Sequence, residues 1–92
     1  MTDVADNAES GRFEISVDGA VAGFVKYRLP RPGRIVFVHT EIDPAFEGKG
    51  LGSKLARAVL DSARERGLEV VPMCPFIKGY IDRHPEYADL VA

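Results

Sequence analysis

The 92-residue chain has no tryptophan, one cysteine, two histidines and no excess of basic residues. The single cysteine, Cys74, excludes a disulfide framework and any zinc site built on paired cysteines. His39 and His84 stand far apart in sequence, which argues against a structural metal. Twelve Lys and Arg against fourteen Asp and Glu leave a net charge of −2. Nucleic-acid-binding domains carry a clear basic excess, so no nucleic-acid partner is expected. No stretch reaches the ~18 consecutive apolar residues of a membrane span, and no membrane partner is expected. Residues 1–11, MTDVADNAESG, have neither a basic leader nor an apolar segment and do not read as a signal peptide. They are small and acidic, and a disordered tail is expected there. The same absences point to a cytoplasmic location, with Cys74 kept reduced.

What is present is enough for one core. Hydrophobic residues make up 46% and charged residues 28%, which excludes disorder for the whole chain. Surface scaling gives roughly 5,300 Å² exposed when folded against about 14,600 Å² when extended. A single domain over 12–92 is expected. Phe13, Ile15 and Val17 alternate with Arg12, Glu14 and Ser16, the pattern of a half-buried strand. Asp18-Gly19 then predicts a tight hairpin. The returning strand runs from Ala20 to Leu29, with Val21, Val25, Tyr27 and Leu29 on one face. Pro30, Pro32 and Gly33 make a turn. Arg34–Ile42 starts apolar on both faces, as a central strand does, and ends at Asp43-Pro44.

A helix is predicted from Leu51 to about Arg66, because Leu51, Leu55, Val59 and Ala63 recur at helical spacing. Gly67 ends it. Leu68–Met73 is a short apolar strand, parallel to Arg34–Ile42 through a right-handed crossover. Pro72 suits an edge. Pro75 opens a second helix to about Arg83, and His84-Pro85 stops it. The order is β-β-β-α-β-α, an α/β (α+β) fold with helices packed on a mixed, mainly antiparallel sheet.

Between the central strand and the long helix lies Glu47-Gly48-Lys49-Gly50-Leu51-Gly52. The first N–H groups of a helix lack internal partners and sit at the positive end of its dipole. Glycines there let a ligand approach the backbone, and Lys49 and Lys54 add positive charge. Such a loop suits phosphate or diphosphate. It fits neither the P-loop spacing G-x-x-x-x-G-K-S/T nor the dinucleotide pattern G-x-G-x-x-G.

The loop resembles the acyl-CoA-binding motif of the GCN5-related N-acetyltransferases, Gln/Arg-x-x-Gly-x-Gly/Ala. A reduced, single-domain branch of that superfamily is closer still. It shares His39-Thr40-Glu41-Ile42, the stretch Gly48–Ala56, Cys74-Pro75-Phe76, Tyr80 and His84-Pro85-Glu86-Tyr87, so the resemblance covers residues 12–90. It implies an acetyl-CoA-dependent transferase acting on an amine, either a small molecule or a protein lysine. It implies that the two parallel strands splay apart. The diphosphate of acetyl-CoA would rest on the N–H groups of Gly48 to Gly52, within a cofactor-binding loop of Glu47, Gly48, Lys49, Gly50, Leu51, Gly52 and Ser53. The pantetheine arm would run beside Thr40 and Ile42 towards Cys74.

Three departures stand out. Glu47 replaces the usual Gln or Arg. The Asp18-Gly19 turn replaces the helices that normally join the first two strands. The hairpin that normally closes the acceptor side has no counterpart. The rival functions are therefore a non-catalytic CoA-binding module and a protein-interaction domain of the same fold. Oligomeric state is not readable from the sequence.

Each candidate catalytic residue has a plainer reading. Cys74 precedes a helix, whose positive end favours a thiolate that can accept an acyl group; it is otherwise a small buried hydrophobe. Tyr80 is placed by the resemblance to protonate a leaving thiolate, and is otherwise a core aromatic with a wet hydroxyl. Glu41 and His39 share one side of their strand, and either type of group can act as a general base. Glu41 is preferred, being nearer the loop, and His39 reads as a satisfied strand residue. Gly50→Val is expected to weaken CoA binding and to spare the fold.

Overall fold

Five strands and two helices account for most of the computed structural model, which describes residues 1–92. The strands are β1 Thr2–Asn7, β2 Arg12–Val17, β3 Ala20–Arg31, β4 Arg34–Ile42 and β5 Glu69–Pro72. They lie in the order β1-β2-β3-β4-β5. All pairings are antiparallel except β4 with β5, which is parallel. The helices are α1 Leu51–Glu65 and α2 Pro75–Arg83, and short 3-10 turns cover Ala8–Ser10, Pro44–Phe46 and Pro85–Leu90. No helix is long and apolar enough to cross a membrane. The accessible surface, 5406 Å², is close to the value scaled from the mass.

The hairpin signals act as read. Asp18 and Gly19 both take positive φ, at 49° and 85°, as a two-residue turn matching the strand twist requires. Gly67, at φ 66°, closes α1 with the paired bonds of a Schellman cap: Leu68 N–H donates to Ala63 C=O and Gly67 N–H to Arg64 C=O.

Residues 1–11 depart from the expected disordered tail. Thr2–Asn7 pairs along the whole of β2, from Thr2 opposite Val17 to Asn7 opposite Arg12. The Asn7 side chain accepts from Ser10 N–H, and the chain turns at Gly11 with φ 66°. The Tyr27 hydroxyl donates to Asp6 at 2.6 Å, tying β1 across to β3. Backbone pairing and one tyrosine hold a segment whose only sizeable apolar contribution to the core is Val4, so the domain includes residues 2–11.

The core is one cluster of 19 buried residues on one face of the sheet. Phe13, Ile15, Val25, Tyr27, Ile35, Phe37 and Val70 meet Leu51, Leu55, Ala56, Val59, Leu60 and Ala63 of α1 and Ile77, Tyr80 and Ile81 of α2. Leu55 and Leu60 are fully buried. Both helices cover this face, and no side chain of the opposite face is buried. Of three register shifts in the sheet, two set the alternation near the site. Ala22 is the extra residue of β3 against β2, which buries Ala22 and leaves Val21 47% exposed instead of in the core. Val38 is the extra residue of β4 against β3.

Two tyrosines link the core to pH. Burial, and then hydrogen bonding to Asp6, pushes Tyr27 up to about 12. Burial and a 2.7 Å bond to Asp61 push Tyr87 up to about 12. Unfolded tyrosine ionises near 10, so above that pH the unfolded chain holds fewer protons than the folded one. The stabilisation is complete below pH 10 and is lost as pH rises through 12. Denaturation midpoints recorded from pH 9 to 12 are expected to fall, and Tyr87→Phe to flatten part of the decline; a flat wild-type profile would refute the linkage.

Candidate functional site

Parallel pairing between β4 and β5 lasts four residue pairs, from Arg34 opposite Glu69 to Phe37 opposite Pro72. One further bond, Cys74 N–H to Phe37 C=O at 2.9 Å, marks the apex. Beyond it β4 continues to Ile42 with no partner on that side, while the chain after Pro72 turns into α2. The splay therefore begins where Val38 bulges. Across the apex Thr40 Oγ1 lies 3.1 Å from Cys74 Sγ. The backbone of β4 from Val38 to Ile42 offers an unpaired edge to any extended chain that enters.

The bulge decides which side chains face the helices. Ile35 and Phe37 point into the core. One extra residue then brings Thr40, opposite Val25, and Ile42, opposite Gly23, onto that same face. Gly23 is required beneath Ile42, since a Cβ there would lie 2.5 Å from the Ile42 side chain. His39 and Glu41 are turned to the uncovered face, 3.4 Å from each other and more than half exposed. The shared side expected for His39 and Glu41 is present, but it is the side away from Cys74.

After β4, Asp43 caps the Pro44–Phe46 turn by accepting from Ala45 N–H at 2.9 Å. The glycine loop then enters α1 with Gly48 at φ 81° and Gly50 at φ 72°. Gly50 is the N-cap, and no side chain caps the helix. The N–H groups of Gly48, Lys49, Gly50, Leu51, Gly52 and Ser53 make no intramolecular hydrogen bond, and the first amide engaged is Lys54, bonded to Gly50 C=O. A shallow cavity of about 230 Å³ lies over them, lined by Ile42, Phe46, Glu47, Gly48, Gly50, Leu51, Gly52, Ser53 and Phe76. Leu51 is 4% exposed with its side chain in the core, so it offers only its amide. Lys49 Nζ stands 6.0 Å from the Phe46 ring centre.

Two glycines have reasons the sequence did not show. Gly52 lies under the Phe76 ring, where an added Cβ would meet the ring tip at 2.8 Å. Phe76, which the sequence reading gave no role, is thus a wall of the loop cavity; the signal was a large aromatic two residues after Cys74 that remains 38% exposed. Gly50 holds a left-handed backbone that a β-branched residue adopts only with strain. Gly50→Val therefore costs fold stability as well as any binding.

The three candidate catalytic residues do not converge. Cys74 is 3% exposed at the N-cap of α2, against Thr40. Glu41 is with His39 on the uncovered face. The Tyr80 ring is buried, 4.0 Å from the His84 ring and 6.1 Å from that of Tyr87. Its hydroxyl makes no hydrogen bond, yet no buried polar atom is unpaired, so that hydroxyl meets solvent.

Comparison with known proteins agrees with this geometry. The family model described as GCN5-related N-acetyl-transferase matches residues 12–90. Protein NATD1 of Homo sapiens and of Xenopus tropicalis is 36% identical over 47 residues, 51% of this chain. That match spans 42% and 43% of those proteins, so the chain corresponds to less than half the length of these curated relatives. A GCN5-like protein from Staphylococcus aureus superposes with TM-score 0.73 at 25% identity, over 98% of this chain and 87% of that one. Ribosomal-protein-alanine N-acetyltransferase from Brucella melitensis gives TM-score 0.60 at 26% identity, over 88% and 60%. N-acetylglutamate synthase from Neisseria gonorrhoeae, solved with coenzyme A and N-acetyl-glutamate, shares the fold alone at 18% identity, with TM-score 0.56 over 68% and 15%. With a family match over nearly the whole chain and the family's splayed sheet and open helix start in place, the chain belongs to the GCN5-related N-acetyltransferases.

Proposed function

We propose that this protein transfers acetyl from acetyl-CoA to an amine, in the cytoplasm. The observation that carries the reading is the run of six unpaired amides at the start of α1, beside the splay. Six free donors at a positive helix end, five of them in residues that line one small cavity, match a diphosphate. Lys49 and Lys54 outweigh the opposing charge of Glu47. The open edge of β4 beyond Phe37 suits the amides of a pantetheine arm, in the manner of an added strand. Bound there, acetyl-CoA supplies an acyl thioester at the apex of the splay.

The chain's own groups then divide the work. Backbone N–H at the open edge of β4 polarises a carbonyl. The His39–Glu41 pair, on the face an acceptor reaches, takes the proton released by the amine. Cys74 and Thr40 hold the apex closed on the core side. In this arrangement transfer is direct, because a buried thiol hydrogen-bonded to Thr40 is not presented to the acceptor face.

Titration with acetyl-CoA, followed by amide NMR, is expected to move residues 40–53 and 74–76; no shifts at millimolar ligand would end the reading. Ser53, the third helical residue, provides a variant with two opposed readouts. Ser53→Glu is expected to stabilise α1 by about 0.5 kcal/mol through the helix dipole while weakening CoA binding about tenfold by competing for the amides. Equal affinity in that variant would remove the diphosphate from the helix start. Cys74→Ala is expected to keep acceptor-dependent CoA release within about threefold, whereas a loss of roughly a thousandfold would establish an acyl-cysteine route.

A further inference from the structure

We infer that the groove on the uncovered face of the sheet is the acceptor site, and that the acceptor is a small amine carrying an apolar body and a carboxylate. The inference rests on the acetyl-transfer reading and adds the class of molecule acetylated. The groove, of about 370 Å³, is formed by Val36 and Val38 of β4, Val71 of β5 and Met73 just after it, with Arg28 and Arg34 on its rim. It is thus built from both strands that diverge at the splay. The row Arg28, Val36, Val71 runs straight across β3, β4 and β5 on the face away from the helices.

The lining sets the first half of the specificity. Val36, Val38 and Val71 are half-buried with no layer above them, and Met73 is 67% exposed. A flexible thioether over three valines accepts apolar groups of varied shape. The volume is at the small end of ligand pockets, suited to a metabolite-sized body.

Charge sets the second half. Arg34 and Arg31 both pair with Glu69, with Arg34 Nε 2.8 Å from its carboxylate. Arg28 makes no ion pair. Arg31 and Arg34 share the single carboxylate of Glu69 and Arg28 has none, so the rim formed by Arg28 and Arg34 is positive in a chain of net −2. An unpaired guanidinium beside an apolar floor is a receptor for a carboxylate. The same charge repels a lysine flanked by basic residues. At the other end of the groove, just past Val38, stands the His39–Glu41 pair. An acceptor with its carboxylate on Arg28 and its body on the valines directs its amine towards that pair and the mouth of the splay.

The test compares N-acetyl-leucine with N-acetyl-leucinamide, which differ in the carboxylate, as probes of the free protein by methyl NMR. N-acetyl-leucine is expected to shift the methyls of Val36, Val38, Val71 and Met73 and to bind at least about tenfold more tightly than the amide. Arg28→Gln should abolish that difference, and Lys26→Gln, which alters a cation of the same face outside the groove, should preserve it. Equal affinity for acid and amide, shifts located elsewhere, or an unchanged ratio in Arg28→Gln would overturn the inference. Tighter binding of a lysine peptide at the same methyls would overturn it too. Acetyl-CoA titrations run in parallel separate the two claims. Binding of acetyl-CoA without acid-over-amide selectivity refutes the acceptor class alone. Selective groove binding without acetyl-CoA binding refutes the transfer reading and the acceptor role with it.

Discussion

The extra residue at Val38 is the constraint on which the site depends. A strand that kept strict alternation from Ile35 and Phe37 would send His39 and Glu41 into the core and Thr40 and Ile42 outwards. The bulge reverses this within one step and raises the local twist, at the point where β5 leaves. One irregularity thereby places Thr40 against Cys74, Ile42 over Gly23, and the titratable pair on the open face. It also leaves five residues of a central strand with an unpaired edge inside the molecule, which a folded protein tolerates when something else pairs with that edge.

The two ends of α1 show how selectively that opening is kept. At the C-terminus both bonds of a Schellman cap are made around Gly67. At the N-terminus no side chain caps the helix, although serine or aspartate N-caps are ordinarily better than glycine by roughly a few tenths of a kcal/mol. Gly50 instead takes a left-handed conformation, and Gly52 leaves room for the tip of the Phe76 ring beside the helix start. A helix sealed at one end and bare at the other has given up stability where a ligand can restore it.

Much of this was legible in the residues. Alternation, the Asp18-Gly19 turn, the helical spacing of α1 and the Gly67 stop all rest on local chemistry, and each local preference agrees with the fold. What stayed hidden depends on partners distant in sequence. Thr2–Asn7 has no apolar pattern, and only its pairing with β2 and the reach of Tyr27 to Asp6 make it a strand. The Ala22 and Val38 bulges leave no trace in a run of apolar residues, so alternation alone puts Val21 on one face with Val25 and Tyr27 and cannot set the facing of His39 and Glu41. Gly52 read as a ligand glycine because Phe76, 24 positions later, was not visible as its neighbour.

The two-residue turn at Asp18-Gly19 has a further consequence. Chain that would otherwise pass over the sheet between β2 and β3 is absent, so one face has no second layer. An apolar sheet left bare would associate edge to edge or face to face. This face carries Arg12 over Phe24, Lys26, Arg28, His39 and Glu41 in place of a cover, which keeps its aromatic and valine surface divided into small patches. One apolar groove among those charges lies between Arg28 and Arg34, where β4 and β5 part. The charges that make a single-layered sheet tolerable in water thus leave an apolar opening beside the splay.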